Sequence, residues 1–265
     1  MNRYRISSFL LFSAVAALFC LSSSCRKADT KPAPIQMGHL YFHLHTDIGP
    51  AEADSGNVFP DANGRRFQLT FAQFYISGIT LYSYSDNTPY VLPANTVILK
   101  VIDQEDFYVA DVPAGNYGSL SFNVGLSPAL NQLNPNIYAS SNPLAGQPPP
   151  NAPMYWSTTQ GYIFLNVQGL ADTTAAHNGP VNYPFSYQIG SNSMLKNIHL
   201  PQQQFTILPG QITFVHQVCD YGNLLQGIPF VHSATPFNAD STIARQVANR
   251  IPSNFVNYEM ATVQP

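Results

Sequence analysis

Residues 38–47, GHLYFHLHTD, alternate without interruption. Successive side chains of an extended chain point to opposite faces, so Leu40, Phe42 and Leu44 share one side and Tyr41, His43, His45 and Asp47 the other. This pattern predicts a strand with one face in a core and one in water. The stretch Arg66–Tyr84, RFQLTFAQFYISGITLYSY, continues the theme with aromatic and β-branched residues, and Gly78 marks a bulge or break in it. Further strands are expected at Tyr90–Val101, Phe107–Val112, Tyr117–Val124, Tyr162–Val167, Tyr183–Ile189, Asn197–Leu208 and Gln211–Cys219, each bounded by Pro, Gly, Asn or Asp. Pro113-Ala114-Gly115-Asn116 and Leu208-Pro209-Gly210-Gln211 read as tight turns, and Pro50–Gly64 as loop. Pro128–Pro153 reads as a long loop, the kind that is often functional. One helix is expected, Ser241–Arg250, capped by Asp240 or Ser241, with Ile243, Val247 and Ile251 on one face and Pro252 ending it. No repeat of fixed period is present. The fold class is therefore all-β: a single antiparallel β-sandwich, immunoglobulin-like or related, with one short C-terminal helix.

The first 25 residues read differently. Arg3 and Arg5 form a basic start, Phe9–Leu21 an apolar run, and Leu21-Ser22-Ser23-Ser24-Cys25 a small-residue cleavage site ending in cysteine. This is the pattern of a lipoprotein signal peptide, with Cys25 as the lipid acceptor; an ordinary secretory signal is the competing reading. Residues 26–37 form a polar, Pro-containing flexible tether and 38–265 the folded domain. The expected location is extracytoplasmic, on a membrane through the lipid anchor, on the periplasmic or the cell-surface face of the outer membrane. Removing Arg3 and Arg5 from 11 basic residues leaves 9 against 14 acids, a formal charge of −5. Nothing there is a basic patch, so nucleic acid is not an expected partner. Cys219 is the one cysteine outside the signal, which rules out an intramolecular disulfide and a cysteine-based zinc cluster.

His43, His45 and Asp47 recur at i, i+2 and i+4, with roughly 6–7 Å between successive same-face side chains. Two imidazoles at this spacing can share a metal; a third ligand from the same straight strand is strained, so further ligands must come from elsewhere. The competing reading is a solvated outer face. His216 and Cys219 fall on opposite faces of their strand and make no nucleophile–base pair, and Cys219 reads as a small buried hydrophobe. Asp103, Glu105 and Asp106 lack the spacing of a calcium loop and read as a solvated turn. No nucleophile elbow, zinc-protease motif, phosphate-binding glycine loop or dinucleotide fingerprint is present, and no catalytic activity of the chain's own is expected.

Several segments, in order, resemble the MbnP-like family of bacterial secreted and lipid-anchored proteins, associated with methanobactin-related copper handling. Phe74-Tyr75-Ile76-Ser77-Gly78-Ile79-Thr80-Leu81 is similar to the family's aromatic-Tyr-Ile-Ser strand. Asp111-Val112-Pro113-Ala114-Gly115-Asn116-Tyr117 with Phe122-Asn123-Val124-Gly125 resembles its V-P-A-G-x-Y…F-x-I-G hairpin. Within Asn151–Gly169, Met154-Tyr155-Trp156 and Gly161-Tyr162-Ile163-Phe164-Leu165 match its M-x-W…G-Y-x-F segment, around the only tryptophan. Phe185-Ser186-Tyr187-Gln188-Ile189-Gly190 is similar to its F-x-Y-H-I-G, and His232 with Ile243-Ala244, Asn249 and Phe255 to its ending. The resemblance implies a β-sandwich, copper binding, and oxidation of Trp156 to kynurenine by a partner dihaem cytochrome c peroxidase of the MauG-like class. It also implies His232 as a ligand and Met154 as a soft donor or packing residue. Thr158 stands where the family often has a second tryptophan, Gln188 where it has histidine, and 257–265 lack its late histidines. Those departures turn attention to His43 and His45 as metal ligands. The alternative is a metal-free surface binding or adhesion module for glycan or protein ligands.

Overall fold

The computed structural model describes residues 33–146, 154–230 and 242–263, the last eight of these through their backbone alone. Among the described residues fifteen strands follow in order: β1 (Met37–Ile48), β2 (Ala51–Glu52), β3 (Val58–Pro60), β4 (Arg66–Ser83), β5 (Pro89–Val91), β6 (Ile98–Val101), β7 (Asp106–Pro113), β8 (Gly115–Val124), β9 (Tyr155–Ser157), β10 (Gly161–Ala171), β11 (Tyr183–Gly190), β12 (Lys196–His199), β13 (Phe205–Ile207), β14 (Ile212–Asp220) and β15 (Phe255–Val263). They form two sheets. The smaller runs β15-β14-β1-β2, with β7 beside β2 on the edge of β1 away from β14; the larger runs β11-β10-β4-β8-β12, with the short strands attached at its margins. The β-sandwich expected from the alternating segments is what forms.

Burial follows the alternation of β1. Leu40, Phe42 and Leu44 are 0–1% exposed, and Phe42 reaches Phe122 of β8 in the opposite sheet, with ring centroids 5.9 Å apart. Each such side chain contributes roughly 1.5–3 kcal/mol when taken out of water, so a one-residue slip of β1 would exchange its whole core face for its polar one. Gly78 does mark a bulge: its φ is +60°, and the β4–β8 register shifts between Ser77 and Thr80.

Several boundaries depart from the sequence reading. Pro93 divides the expected 90–101 strand into β5 and β6, and Pro201 divides 197–208 into β12 and β13, because proline cannot donate to a ladder. The loop after β8 contains two short helical turns, α1 (Pro128–Asn131), capped by Ser127, and a 3-10 turn at Pro135–Ile137 capped by Asn134. Asp220 caps α2 (Tyr221–Leu225) by accepting from the N–H groups of Gly222 and Asn223. The expected C-terminal helix, α3 (Thr242–Asn254), runs two residues past Pro252 before β15 begins. Its Ala244, Val247, Ala248 and Ile251 are buried, the amphipathic stripe that seats it against α2 and β12.

One pairing differs from all the others: β1 and β14 run parallel, in register from His39↔Ile212 to Asp47↔Asp220. A parallel pair needs a long connection, and here nearly the entire domain separates the two strands in sequence.

Behind β1, on the core side, lies Lys100, fully buried. Its ammonium donates to Thr46 Oγ1 at 2.9 Å and to the carbonyls of Val101, Ile102 and Gln104 at 2.8, 3.3 and 2.6 Å. All four acceptors are uncharged, and burial lowers the Lys100 pKa. The cation thus pins the 101–104 turn to the back of β1. Cys219, equally buried, has its thiol pushed up from 9.0 to about 12 by burial.

Lys100→Met keeps the apolar stem and removes the donor shared by Thr46 Oγ1 and the turn carbonyls, the Gln104 carbonyl among them, so urea denaturation should show a loss of about 1–3 kcal/mol; undiminished stability would mean that the ammonium does not hold the turn. For Cys219 the folded pKa exceeds the unfolded one. Stability from keeping the thiol protonated is therefore complete below pH 9 and is lost as pH rises toward 12. Denaturation midpoints from pH 7 to 11 should fall less steeply above pH 9 in Cys219→Ala than in the parent.

Candidate metal centre

The outer face of β1 carries His39, Tyr41, His43, His45 and Asp47, all partly exposed. In-register parallel pairing sets Phe214 of β14 beside Tyr41, and His216 beside His43. Neighbouring strands lie ~4.8 Å apart, less than the i, i+2 spacing along a strand, so β14 supplies the third imidazole that β1 alone supplies poorly. One nitrogen from each of His43, His45 and His216 lies within 4.8 Å of the others. Ring centroids are 4.3 Å apart for His43–His45, 4.7 Å for His43–His216 and 6.4 Å for His45–His216.

Carboxylates come from the other edge of β1. In the antiparallel β1–β7 ladder His43 faces Asp106. Asp106 Oδ1 accepts from His43 Nδ1 at 2.5 Å. Glu105 has its backbone carbonyl bonded to the Leu44 N–H at 2.9 Å, between the two histidines. Its side-chain oxygens lie 3.5 Å from His43 Nε2 and 3.2 Å from His45 Nδ1. These two acids, read from sequence as a solvated turn, are the chief partners of the histidines. A register shift after Leu40 then lets Asp111 face outward, where it accepts from His39 Nδ1 at 2.7 Å and from the Tyr108 hydroxyl at 2.9 Å. Burial raises the Asp47 carboxyl above its ordinary range; His45 opposes that rise, while Asp220, Glu52 and Glu105 add to it. A cleft of about 320 Å³ lined by Gln104, Asp106, Tyr108 and Asn142 opens beside the cluster.

Three imidazoles form a borderline donor set suited to copper, zinc or nickel, and a carboxylate on the far nitrogen of a ligating histidine fixes its tautomer and raises its basicity. The set fits copper on donor chemistry. His43 and His45 are legible as a pair in the sequence; His216 is not, because it reaches them only through the pairing of β14 with β1.

Trp156 and Met154 belong elsewhere. They lie at β9, which pairs with β10 of the larger sheet. Met154 is 3% exposed in a second apolar cluster with Tyr75, Tyr162 and Phe164, and Trp156 packs against that cluster half-buried. The indole Nε1–H donates to Gln188 Oε1 at 2.9 Å. Gly190 permits this seat, since a Cβ there would come 2.6 Å from Trp156 Cζ3. Met154 and Trp156 therefore share a cluster, His43 and His45 share another, and the two groups are on different sheets. His232 and Cys25 lie outside the described residues.

Among curated proteins, none matches this chain. Among solved structures, MbnP from Methylosinus trichosporium is similar at 12% sequence identity and a TM-score of 0.56, over 86% of this chain and 99% of that one. At that identity the likeness speaks for the fold. The family model described as MbnP matches residues 37–242, from the first residue of β1 to the first residue of α3. With most of its length matched and the sandwich shared, the chain belongs to the MbnP family.

Proposed function

We propose that this chain is a lipid-anchored, extracytoplasmic copper-binding protein that holds its metal through His43, His45 and His216. The observation that carries this reading is the convergence of three histidine nitrogens within 4.8 Å on one open sheet face. Copper(II) stands at the top of the affinity order for such a donor set, so copper is the metal these residues retain best against zinc or nickel. Asp106 orients His43 through Nδ1. Attachment through Cys25, followed by the tether 26–37, keeps the domain at a membrane surface. Among the described residues no helix is long and apolar enough to cross a membrane.

Trp156 is the residue we assign to oxidation by a partner dihaem peroxidase. Its support is the M-x-W…G-Y-x-F segment and a half-buried Trp156 whose indole nitrogen is held by Gln188. Kynurenine adds an amine and a carbonyl that indole lacks, beside the buried Met154 thioether. A specific observation favours a metal-free surface module as the second reading: Tyr41 meets both Tyr108 and Phe214 at 5.4 Å, and Tyr108 is 51% exposed, an aromatic row open to a ligand.

Copper titration of the purified protein should show one tightly bound equivalent. His216→Ala should weaken it by more than the roughly 10–100-fold attached to outer-shell partners. Retention of full affinity in that variant would remove the three-histidine centre; no copper bound by the parent would leave the aromatic row as the functional surface. Peptide mass spectrometry on protein from its native host should find kynurenine at position 156, and unmodified tryptophan there would dismiss the oxidation.

A further inference from the structure

We propose that Tyr41 and Tyr108 are a modification site: a haem peroxidase with hydrogen peroxide couples them into a dityrosine that staples β1 to β7. No metal takes part, so the inference stands apart from the copper reading and goes beyond it.

The two tyrosines are Cα partners in the antiparallel β1–β7 ladder, at its register shift, and their rings meet edge to face with centroids 5.4 Å apart. Directly opposed residues on one sheet face have Cβ atoms about 4.5–5.5 Å apart. Side-chain rotation, rather than movement of either strand, is then what brings two ring carbons together. Tyr108 is 51% exposed and Tyr41 partly exposed, so an oxidant in solution reaches the pair. On its other side Tyr41 meets Phe214, also at 5.4 Å, a ring without a phenol to oxidise. A radical on Tyr41 therefore finds its coupling partner in Tyr108.

A phenol gives up an electron readily only if its proton can leave with it, and here the acceptor is in place. The Tyr108 hydroxyl donates to Asp111 Oδ1 at 2.9 Å, and His39 Nδ1 holds the same oxygen at 2.7 Å. The tyrosine contacts on the larger sheet lack these features. Tyr75 and Tyr155 each meet Tyr162, at 5.9 and 4.9 Å, but Tyr162 is 1% exposed. Its hydroxyl donates to the Leu144 carbonyl, an amide oxygen too weakly basic to take a proton.

The step balances with one peroxide. The peroxidase takes one electron from each phenol; Asp111 receives the Tyr108 proton and solvent the Tyr41 proton. The two phenoxyl radicals join through the ring carbons ortho to oxygen, forming one carbon–carbon bond. The hydrogen on each of those carbons then passes through solvent to its own phenol oxygen, which restores both aromatic rings. Two electrons and two protons reduce the peroxide to two waters. The product joins the strand that carries His43 to the strand that carries Asp106, and it restricts the unfolded chain as a disulfide does.

The test exposes the full chain to a haem peroxidase and hydrogen peroxide. Parent, Tyr41→Phe, Tyr108→Phe and Asp111→Asn are compared, each shown to be folded by circular dichroism. Expected for the parent are dityrosine fluorescence, a monomer on a denaturing gel, and an intact mass lower by two hydrogens. Peptide mapping should join positions 41 and 108, and the urea midpoint should rise in the cross-linked fraction. Either phenylalanine variant should lose the fluorescence. Asp111→Asn should slow its appearance by roughly 100-fold, the lower end of what a positioned base contributes; a rate equal to the parent's would overturn the proton transfer to Asp111. A parent that stays uncoupled would overturn the site. So would dityrosine that joins two chains or maps to Tyr84 or Tyr183, which are also exposed. Copper titration reads none of these outcomes, so the failure of one reading is distinguishable from the failure of the other.

Discussion

The parallel, in-register pairing of β1 with β14 is the constraint from which the rest of this structure takes its arrangement. It joins strands far apart in the sequence at the centre of the smaller sheet, with His43 directly beside His216. On the inner face the same register places Phe42 beside Val215, and both are buried, so the core holds the strands in the alignment that assembles the histidines. A slip by one residue would expose the core row and bury the imidazoles. Packing energy thereby secures the geometry of a polar site on the opposite face.

The opposite edge of β1 shows how a second element is brought into play. The β7 ladder and the Lys100 ammonium together fix the turn that ends in Glu105 and Asp106. A buried, carbonyl-caged lysine is costly to desolvate, and burial lowers its pKa accordingly. Three of its four acceptors are carbonyls of the 101–104 turn, so one charge serves several carbonyls at once. The two acids then meet the histidines from a turn with little freedom to move away.

The MbnP family membership and the local chemistry bear on different parts of the molecule. Trp156 lies within the span matched by the family model, half-buried on the larger sheet with its indole N–H satisfied by Gln188. The imidazole cluster lies on the outer face of the smaller sheet. Gln188 is bonded to the tryptophan, whereas His43 and His45 of β1 are joined by His216 of β14.

Local pattern alone determined much of this protein. Alternation in 38–47 assigned both faces of β1 correctly, Gly78 marked the bulge, and the 3.6-residue stripe of 243–251 marked the helix. Each is a signal of period 2 or 3.6 set by backbone geometry, available within ten residues. Pro93 and Pro201 were readable as breakers, but the strand pieces on either side were too short to separate by pattern. β15 was missed because polar and apolar residues in FVNYEMATV do not segregate cleanly onto two faces. Tertiary structure decided the third histidine and the acids. His216 stands 173 positions after His43, and which strands become neighbours depends on the summed burial of both sheets, a quantity no short window contains. The sequence supplied the donors; the strand register decided that they meet.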